Sequence, residues 1–201
     1  VLVMRDIVVF PRMVSPIFVT PGPNMDAINH AQKNDQTMIA LILTDSDIEK
    51  PKSEDFLPIG IEIAVGRLLS LQDANASALI QGRRRVKIRE IKKEGSIMMA
   101  RGVIVNEPTT VDRQAEALMR TSRDLFERCI QLDRSLPDEA HLFSVNISEP
   151  GWLADMIATA ISLPFDERMK LITITEPKSR LKRLNWLLAQ ELDVLQLEDE
   201  I

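Results

Sequence analysis

The feature that most constrains this fold is a change of texture near Pro108. Up to that point apolar residues come in short runs rich in Val and Ile, separated by turn-forming residues; beyond it come long stretches of Ala, Leu, Glu and Arg with few glycines. Short β-branched runs bounded by turns form strands, and apolar residues recurring at three- and four-residue steps form helices. The chain is therefore predicted to be α+β, a β-rich lobe over residues 1–107 followed by an α-helical bundle over 108–201 that ends in a long helix. Charge follows the same division. The first part carries 14 Lys/Arg against 13 Asp/Glu, and the second 11 against 17. The single cysteine, Cys129, excludes an intramolecular disulfide and an all-cysteine metal site. No apolar run approaches the roughly 18–20 residues that cross a bilayer, no signal peptide opens the chain, and the expected compartment is the cytoplasm.

In the first lobe, Arg5-Asp6-Ile7-Val8-Val9-Phe10-Pro11-Arg12-Met13-Val14-Ser15-Pro16-Ile17-Phe18-Val19 reads as an apolar ribbon kinked twice by prolines that cannot donate to a sheet ladder. A strand is predicted from Ser15 to Val19, then a turn at Thr20-Pro21-Gly22-Pro23 with Asn24 placed to cap a helix from Met25 to Lys33. Met38 to Leu43 is a buried strand by length, and Thr44 to Glu54 a loop. Ile59 to Leu71, Ala76 to Ile91 and Ile97 to Asn106 read as long antiparallel strands joined by hairpin-length turns. Ala78, Ile80, Val86, Ile88 and Ile91 cannot share one face on strict alternation, so a bulge is expected near Gly82.

In the second lobe Leu118, Leu125, Cys129 and Leu132 recur at helical spacing, widened by Met119 and Phe126, which predicts a helix from about Val111 to Asp133. Pro137, Pro150, Pro164 and Pro177 each stand where a helix can open, because proline is tolerated in a first turn. Leu181, Leu184, Leu188, Leu192 and Leu195 make the seam of the last helix, a pattern suited to packing in a bundle or coiled coil.

Several chemistries lack their residues. Seven glycines with no Gly-Lys pair leave no Walker loop for ATP. There is no His-Glu-x-x-His and no Gly-x-Ser-x-Gly, and His30 and His141 fall in different lobes, so neither a metal site nor a Ser-His-Asp arrangement is expected. Asp138-Glu139 and Asp166-Glu167 follow helix-opening prolines, where negative charge complements the helix dipole. Cys129 lies on an apolar stripe and reads as a small buried hydrophobe.

Two groups remain as binding candidates. Phe10, Pro11, Met13 and Val14 at the kinked corner, with Met98 and Met99 beside a hairpin turn, are expected to form an adaptable apolar patch for unfolded polypeptide. Arg83, Arg84 and Arg85 open a run of five cations in seven residues that could follow a phosphate backbone, although aromatic stacking platforms are scarce.

The opening ribbon resembles the Arg-Asp-x-Val-Val-Phe-Pro-x-Met-Val-x-Pro-Leu-Phe-Val start of the amino-terminal domain of ATP-dependent Lon proteases. Asp55 to Ala64, Leu79 to Ile88, Leu153-Ala154-Asp155-Met156-Ile157-Ala158 and Arg180 to Leu195 are similar to further stretches of that family, in the same order. The resemblance implies a PUA-like β-rich lobe followed by a helical bundle. It implies a non-catalytic domain that recognises unfolded or damaged proteins within a homohexameric protease, with ATP, Mg and the Ser-Lys dyad in downstream modules and no cofactor in this region. Arg83, where the family has leucine, and Asp73-Ala74-Asn75-Ala76, where it has Pro-Asp-Gly-Thr, depart from the pattern. A nucleic-acid-binding PUA-like module and a stand-alone Lon-domain adaptor are the competing expectations.

Overall fold

A computed structural model describes all residues from Val1 to Ile201. The chain is α+β and divides into two compact units, Val1–Val105 and Asn106–Ile201.

The first unit is built on a seven-stranded mixed sheet with one α-helix. Its elements are β1 (Leu2–Met4), β2 (Val14–Val19), α1 (Pro23–Lys33), β3 (Met38–Ile42), β4 (Ile59–Val65), β5 (Leu69–Ser70), β6 (Ala76–Glu94) and β7 (Ile97–Ile104). The sheet runs β1-β3-β4-β6-β2, with β5 and β7 also paired to β6; β1 and β3 are parallel and every other pair is antiparallel. The 19-residue β6 is the spine. One edge pairs with β4 over Ile80–Lys87, while the other is shared by β2, over Ala76–Gln81, and β7, over Val86–Glu94. Leu2, Val8, Val9, Phe10, Ile28, Leu41, Ile61 and Ile80 are among the fully buried side chains of its core.

The bulge falls where alternation failed. Glu62 pairs with Arg84 but Ile63 with Gly82, so Arg83 is the extra residue. A second slip leaves Arg89 unpaired between Ile88 and Glu90. At the first bulge the opening ribbon crosses β6: Arg12 N–H donates to the Gly82 carbonyl at 2.8 Å, and Gly82 N–H donates to the Met13 carbonyl at 2.9 Å. A Cβ on Gly82 would overlap the Phe10 carbonyl oxygen, which accounts for glycine there. The β6–β7 turn is shorter than expected, Gly95-Ser96 alone, with Gly95 at φ 62.

The first half of the ribbon, Ile7–Phe10, lies in irregular backbone with Val8, Val9 and Phe10 buried, and the chain's first strand is β1, too short to show a period. Two local expectations are corrected. The stretch from Ile59 to Leu71 breaks at Gly66–Leu68 into β4 and β5. Asn24 does not cap α1, which already starts at Pro23. Its amide donates to the Val3 carbonyl and accepts from Val3 N–H, both at 2.9 Å.

The second unit consists of α2 (Arg113–Leu132), α3 (Glu139–Val145), α4 (Pro150–Ala160), α5 (Phe165–Thr173) and α6 (Pro177–Glu200). Asp112 caps α2 by accepting from Ala115 N–H at 2.8 Å, and Glu176 caps α6 through Lys178 and Ser179 N–H. Pro150 and Pro177 stand in the first turns of α4 and α6, whereas Pro164 is the residue before α5 and Pro137 precedes Asp138, the residue before α3, so neither of these two opens its helix from within the first turn. All five leucines of the α6 seam are buried. On α2 the buried stripe is Ala115, Met119, Ser122, Phe126, Cys129 and Ile130, rotated from the expected one so that Leu118, Leu125 and Leu132 are only half-buried. Arg180 is fully buried, paired with Glu107 and, at 3.4 Å, with Asp155, and donates to the Ile174 carbonyl at 2.9 Å. Burial pushes the Cys129 thiol up to about 11.

Candidate functional site

Exposed apolar side chains gather in two places, on α3 of the second unit at Leu142, Phe143 and Val145 and on a sheet face of the first unit, where they stand in register on adjoining strands. Along β2 the side chains alternate, as a strand requires: Ile17 and Val19 point inward and are buried, while Val14, Pro16 and Phe18 point outward. On β6 the same register buries Ala76, Ala78 and Ile80 and turns Leu79 and Gln81 out. Cross-strand partners share a face, so three rungs stand side by side. Val14 opposes Gln81, which opposes Ala64; Pro16 opposes Leu79; Phe18 opposes Ser77, which opposes Leu69. No charged side chain lies in these rungs. Phe18 is 64% exposed and Val14, Leu79 and Leu69 are each 58–59% exposed, with Leu71 close behind at 46%. Exposed apolar side chains clustered in this way make the face a candidate interaction surface.

The residues expected from sequence fall in several places. Val14 belongs to the face. Phe10 does not: it is 1% exposed, drawn into the core where the ribbon crosses β6, and offers nothing to a partner. Pro11 and Met13 are half-buried at the corner beside it. Met98 and Met99 are half-buried too, and pair with Lys93 and Lys92. Along β6, Lys93 lies twelve residues from Gln81, the partner of Val14, and Met98 lines a pocket with Val1, Thr20 and Gly95, outside the three rungs. Phe18, Leu79 and Leu69 look like ordinary strand residues in the sequence; only the register shows that they share the solvent side.

The basic run is dispersed by the fold. Arg85 is 2% exposed, inward-facing beside Val86, and so cannot meet a polyanion. Arg84 is held by Glu62 through a bidentate ion pair at 3.0–3.1 Å. Arg83 is exposed on the bulge.

A groove of about 430 Å³ runs along the free side of β2, lined by Pro16, Ile17, Phe18 and Val19 on one wall and by Leu2–Arg5 and Ile7 on the other. Nowhere does the fold gather three His, Cys, Asp or Glu side chains that could hold a metal ion. No helix is long and apolar enough to cross a membrane.

Comparison with known proteins places this geometry in a family. Residues 1–190 match the model of the ATP-dependent protease La (LON) substrate-binding domain. The chain is 32% identical over 201 residues to Lon protease 2 of Herpetosiphon aurantiacus, covering 100% of this chain and 25% of that one. It is 33% identical over 202 residues to Lon protease of Xanthomonas oryzae, with 100% and 24% covered, and 28% identical to Lon protease of Escherichia coli K12, with 100% and 26% covered. It thus spans about a quarter of the length of these curated relatives. Among solved structures, the N-terminal domain of a Mycobacterium avium complex Lon protease superposes with a TM-score of 0.75 at 20% identity, covering 96% of each chain. A Lon N-terminal domain protein from Xanthomonas campestris gives 0.62 at 14% identity, covering 90% of this chain and 94% of that one. With the family model spanning both units and the fold shared with Lon N-terminal domains, this chain belongs to the Lon substrate-binding domain family, a recognition module rather than a catalytic one.

Proposed function

We propose that this chain recognises unfolded or damaged polypeptides for an ATP-dependent Lon protease, engaging their apolar segments on the outward β2–β6 face. The observation that carries the reading is the set Val14, Pro16, Phe18, Leu79 and Leu69, apolar and solvent-facing in three adjacent rungs. Unfolded chains differ from folded ones chiefly in exposing apolar side chains, and such a face distinguishes the two by burying them. In this reading the bound segment passes to ATPase and Ser-Lys protease modules of a cytoplasmic homohexamer. ATP and Mg act in those modules, and binding by this chain needs neither. Nucleic acid is the weaker reading, since only Arg83 of the three arginines is both exposed and clear of the Glu62 ion pair.

The test is binding of the isolated chain to a permanently unfolded protein, its folded counterpart and RNA, each at two salt concentrations. Covering the exposed two-thirds of a phenylalanine of about 200 Å² is worth up to about 3 kcal/mol at ~25 cal/mol/Å². Phe18→Ser with Leu79→Ser is therefore expected to weaken unfolded-protein binding by more than tenfold without lowering the melting temperature. Salt-sensitive RNA binding with no affinity for unfolded protein would overturn the proposal.

A further inference from the structure

The backbone beside this face has a property that its side chains do not explain. In an antiparallel sheet the N–H and C=O of one residue point to the same side, and the side alternates along the strand. Gly66 N–H donates to the Leu79 carbonyl at 2.8 Å, on the β4 side of β6, so the polar groups of Leu79 turn away from β2. Pro16, opposite Leu79, therefore makes no ladder bond to β6, and its carbonyl lies on the outer edge. Val14 and Phe18, two residues to either side, present both N–H and C=O on that edge. Ser15, Ile17 and Val19 supply the ladder to β6.

This edge is open in a way that the other end of the sheet is not. On β1 the Asn24 amide satisfies both Val3 N–H and Val3 C=O, as a neighbouring strand would. On β2 no side chain closes Val14 or Phe18, and the only local bond is the Ser15 hydroxyl donating to the Pro16 carbonyl at 3.3 Å. Edge strands are usually protected by charge, yet Val14–Val19 contains none. Pro16 removes one donor and leaves the strand otherwise competent to pair. The groove along Pro16–Val19 supplies the space for another strand, and its far wall, Leu2, Val3, Met4 and Ile7, is mostly apolar.

Resting on the reading that the β2–β6 face binds polypeptide, we propose that the outer edge of β2 takes an extended segment of the client by strand addition. The backbone of the segment pairs with Val14, Pro16 and Phe18, and its alternate side chains extend the apolar face. The occupant is accordingly a β-prone stretch with apolar residues at every second position. A helix is excluded from this mode because its own backbone groups are already paired.

The discriminating experiment uses a fluorescent ten-residue peptide alternating valine and threonine, and two versions N-methylated at either the odd or the even residues. Only one edge of an added strand faces β2, so one methylated version is expected to lose at least tenfold in affinity while the other binds as the parent does. Val14→Pro, which deletes an outward donor and keeps an apolar side chain, is expected to weaken the parent peptide about tenfold; Pro16→Val, which adds a donor, to tighten it several-fold. Thermal melts of both variants confirm that they fold. Equal binding of the two methylated peptides, or failure of the parent peptide to bind, overturns strand addition. If unfolded protein still binds and still depends on Phe18 and Leu79, the apolar-face reading stands without it; if that dependence is missing as well, both fall.

Discussion

Gly82→Ala tests whether the crossing of the opening ribbon over β6 organises the first unit. A methyl group there would overlap the Phe10 carbonyl oxygen and lie 3.0 Å from the Phe10 carbonyl carbon and 3.2 Å from Val9 Cγ1. Two of these three neighbours are backbone, and Val9 and Phe10 are themselves fully buried, so no flexible side chain can swing aside. The ribbon has to recede by about 1 Å, an overpacking strain of about 1–3 kcal/mol. Receding also stretches the two hydrogen bonds between Gly82 and Arg12–Met13, worth about 1 kcal/mol each. Reduced freedom of the unfolded chain returns about 0.4–1 kcal/mol. The net expectation is a loss of about 3 kcal/mol, or a fall in melting temperature of roughly 12–20 °C for a unit of this size. The molecule contains its own control: with no tyrosine, and with Trp152 and Trp186 both in the helical unit, tryptophan fluorescence follows that unit alone while circular dichroism reports both, so a dichroism transition without a fluorescence counterpart belongs to the first unit. Gly82→Ala should lower the dichroism transition and leave the fluorescence transition in place. Gly95→Ala, whose added methyl meets nothing within 4 Å, should cost only the left-handed backbone strain of about 1 kcal/mol. If Gly82→Ala changes the dichroism transition no more than Gly95→Ala does, the ribbon crossing is not a close-packed junction.

Arg180→Met should destabilise the helical unit by about 3–5 kcal/mol in a fluorescence-monitored urea melt, because it leaves the Glu107 and Asp155 carboxylates beside a buried site without their cation. Cys129 gives a pH window of its own. Its folded thiol is raised from 9.0 to about 11, so the unfolded chain ionises first, and the thiol's contribution is complete below pH 9 and lost as pH rises through 11. Subtracting the pH profile of Cys129→Ala should isolate that decline. Asn24→Ala removes both bonds to Val3 and is expected to cost about 1–3 kcal/mol in the dichroism melt; no change would mean that the β1 edge needs no closure.

How much the sequence revealed depended on the length of each periodic signal. The α6 seam from Leu181 to Leu195 and the starts of α4 and α6 at Pro150 and Pro177 were readable because the period repeats over several turns and proline fixes the first one. The bulge near Gly82 was readable because a broken alternation is itself a signal. β1 was not, since three residues carry no period. Asn24 looked like a cap because an amide at a helix start usually is one, and its partner Val3 is remote in sequence. The same limit applied to the site. Arg83, Arg84 and Arg85 read as one cationic strip, yet the extra residue at Arg83 changes the phase, placing Arg84 with Glu62 on the outside and Arg85 in the core. Phe10 and Phe18 stand in similar apolar company, and only tertiary register sends one inward and the other out.

That register and the candidate site are set at one point. A strand has a period of two, so a slip of a single residue between β2 and β6 would bring Ile17 and Val19 to solvent and turn Val14, Pro16 and Phe18 into the core. The contact between Gly82 and Arg12–Met13 stands immediately before the first β2 rung, Val14 opposite Gln81, and fixes the phase of every rung that follows. The crossing also consumes Val8, Val9 and Phe10 as core, leaving the later apolar residues of the ribbon for the outside. The inward row of Ile17, Val19, Ala76, Ala78 and Ile80 already supplies this part of the core, so folding alone gives no reason for Val14, Phe18, Leu79 and Leu69 to be apolar. Threonine at these positions has comparable strand propensity and would suit water better. Replacing Val14, Phe18 and Leu79 together by threonine should therefore leave the dichroism transition within about 1 kcal/mol of its original position while abolishing unfolded-protein binding. A large loss of stability would show that the outward row is structural after all.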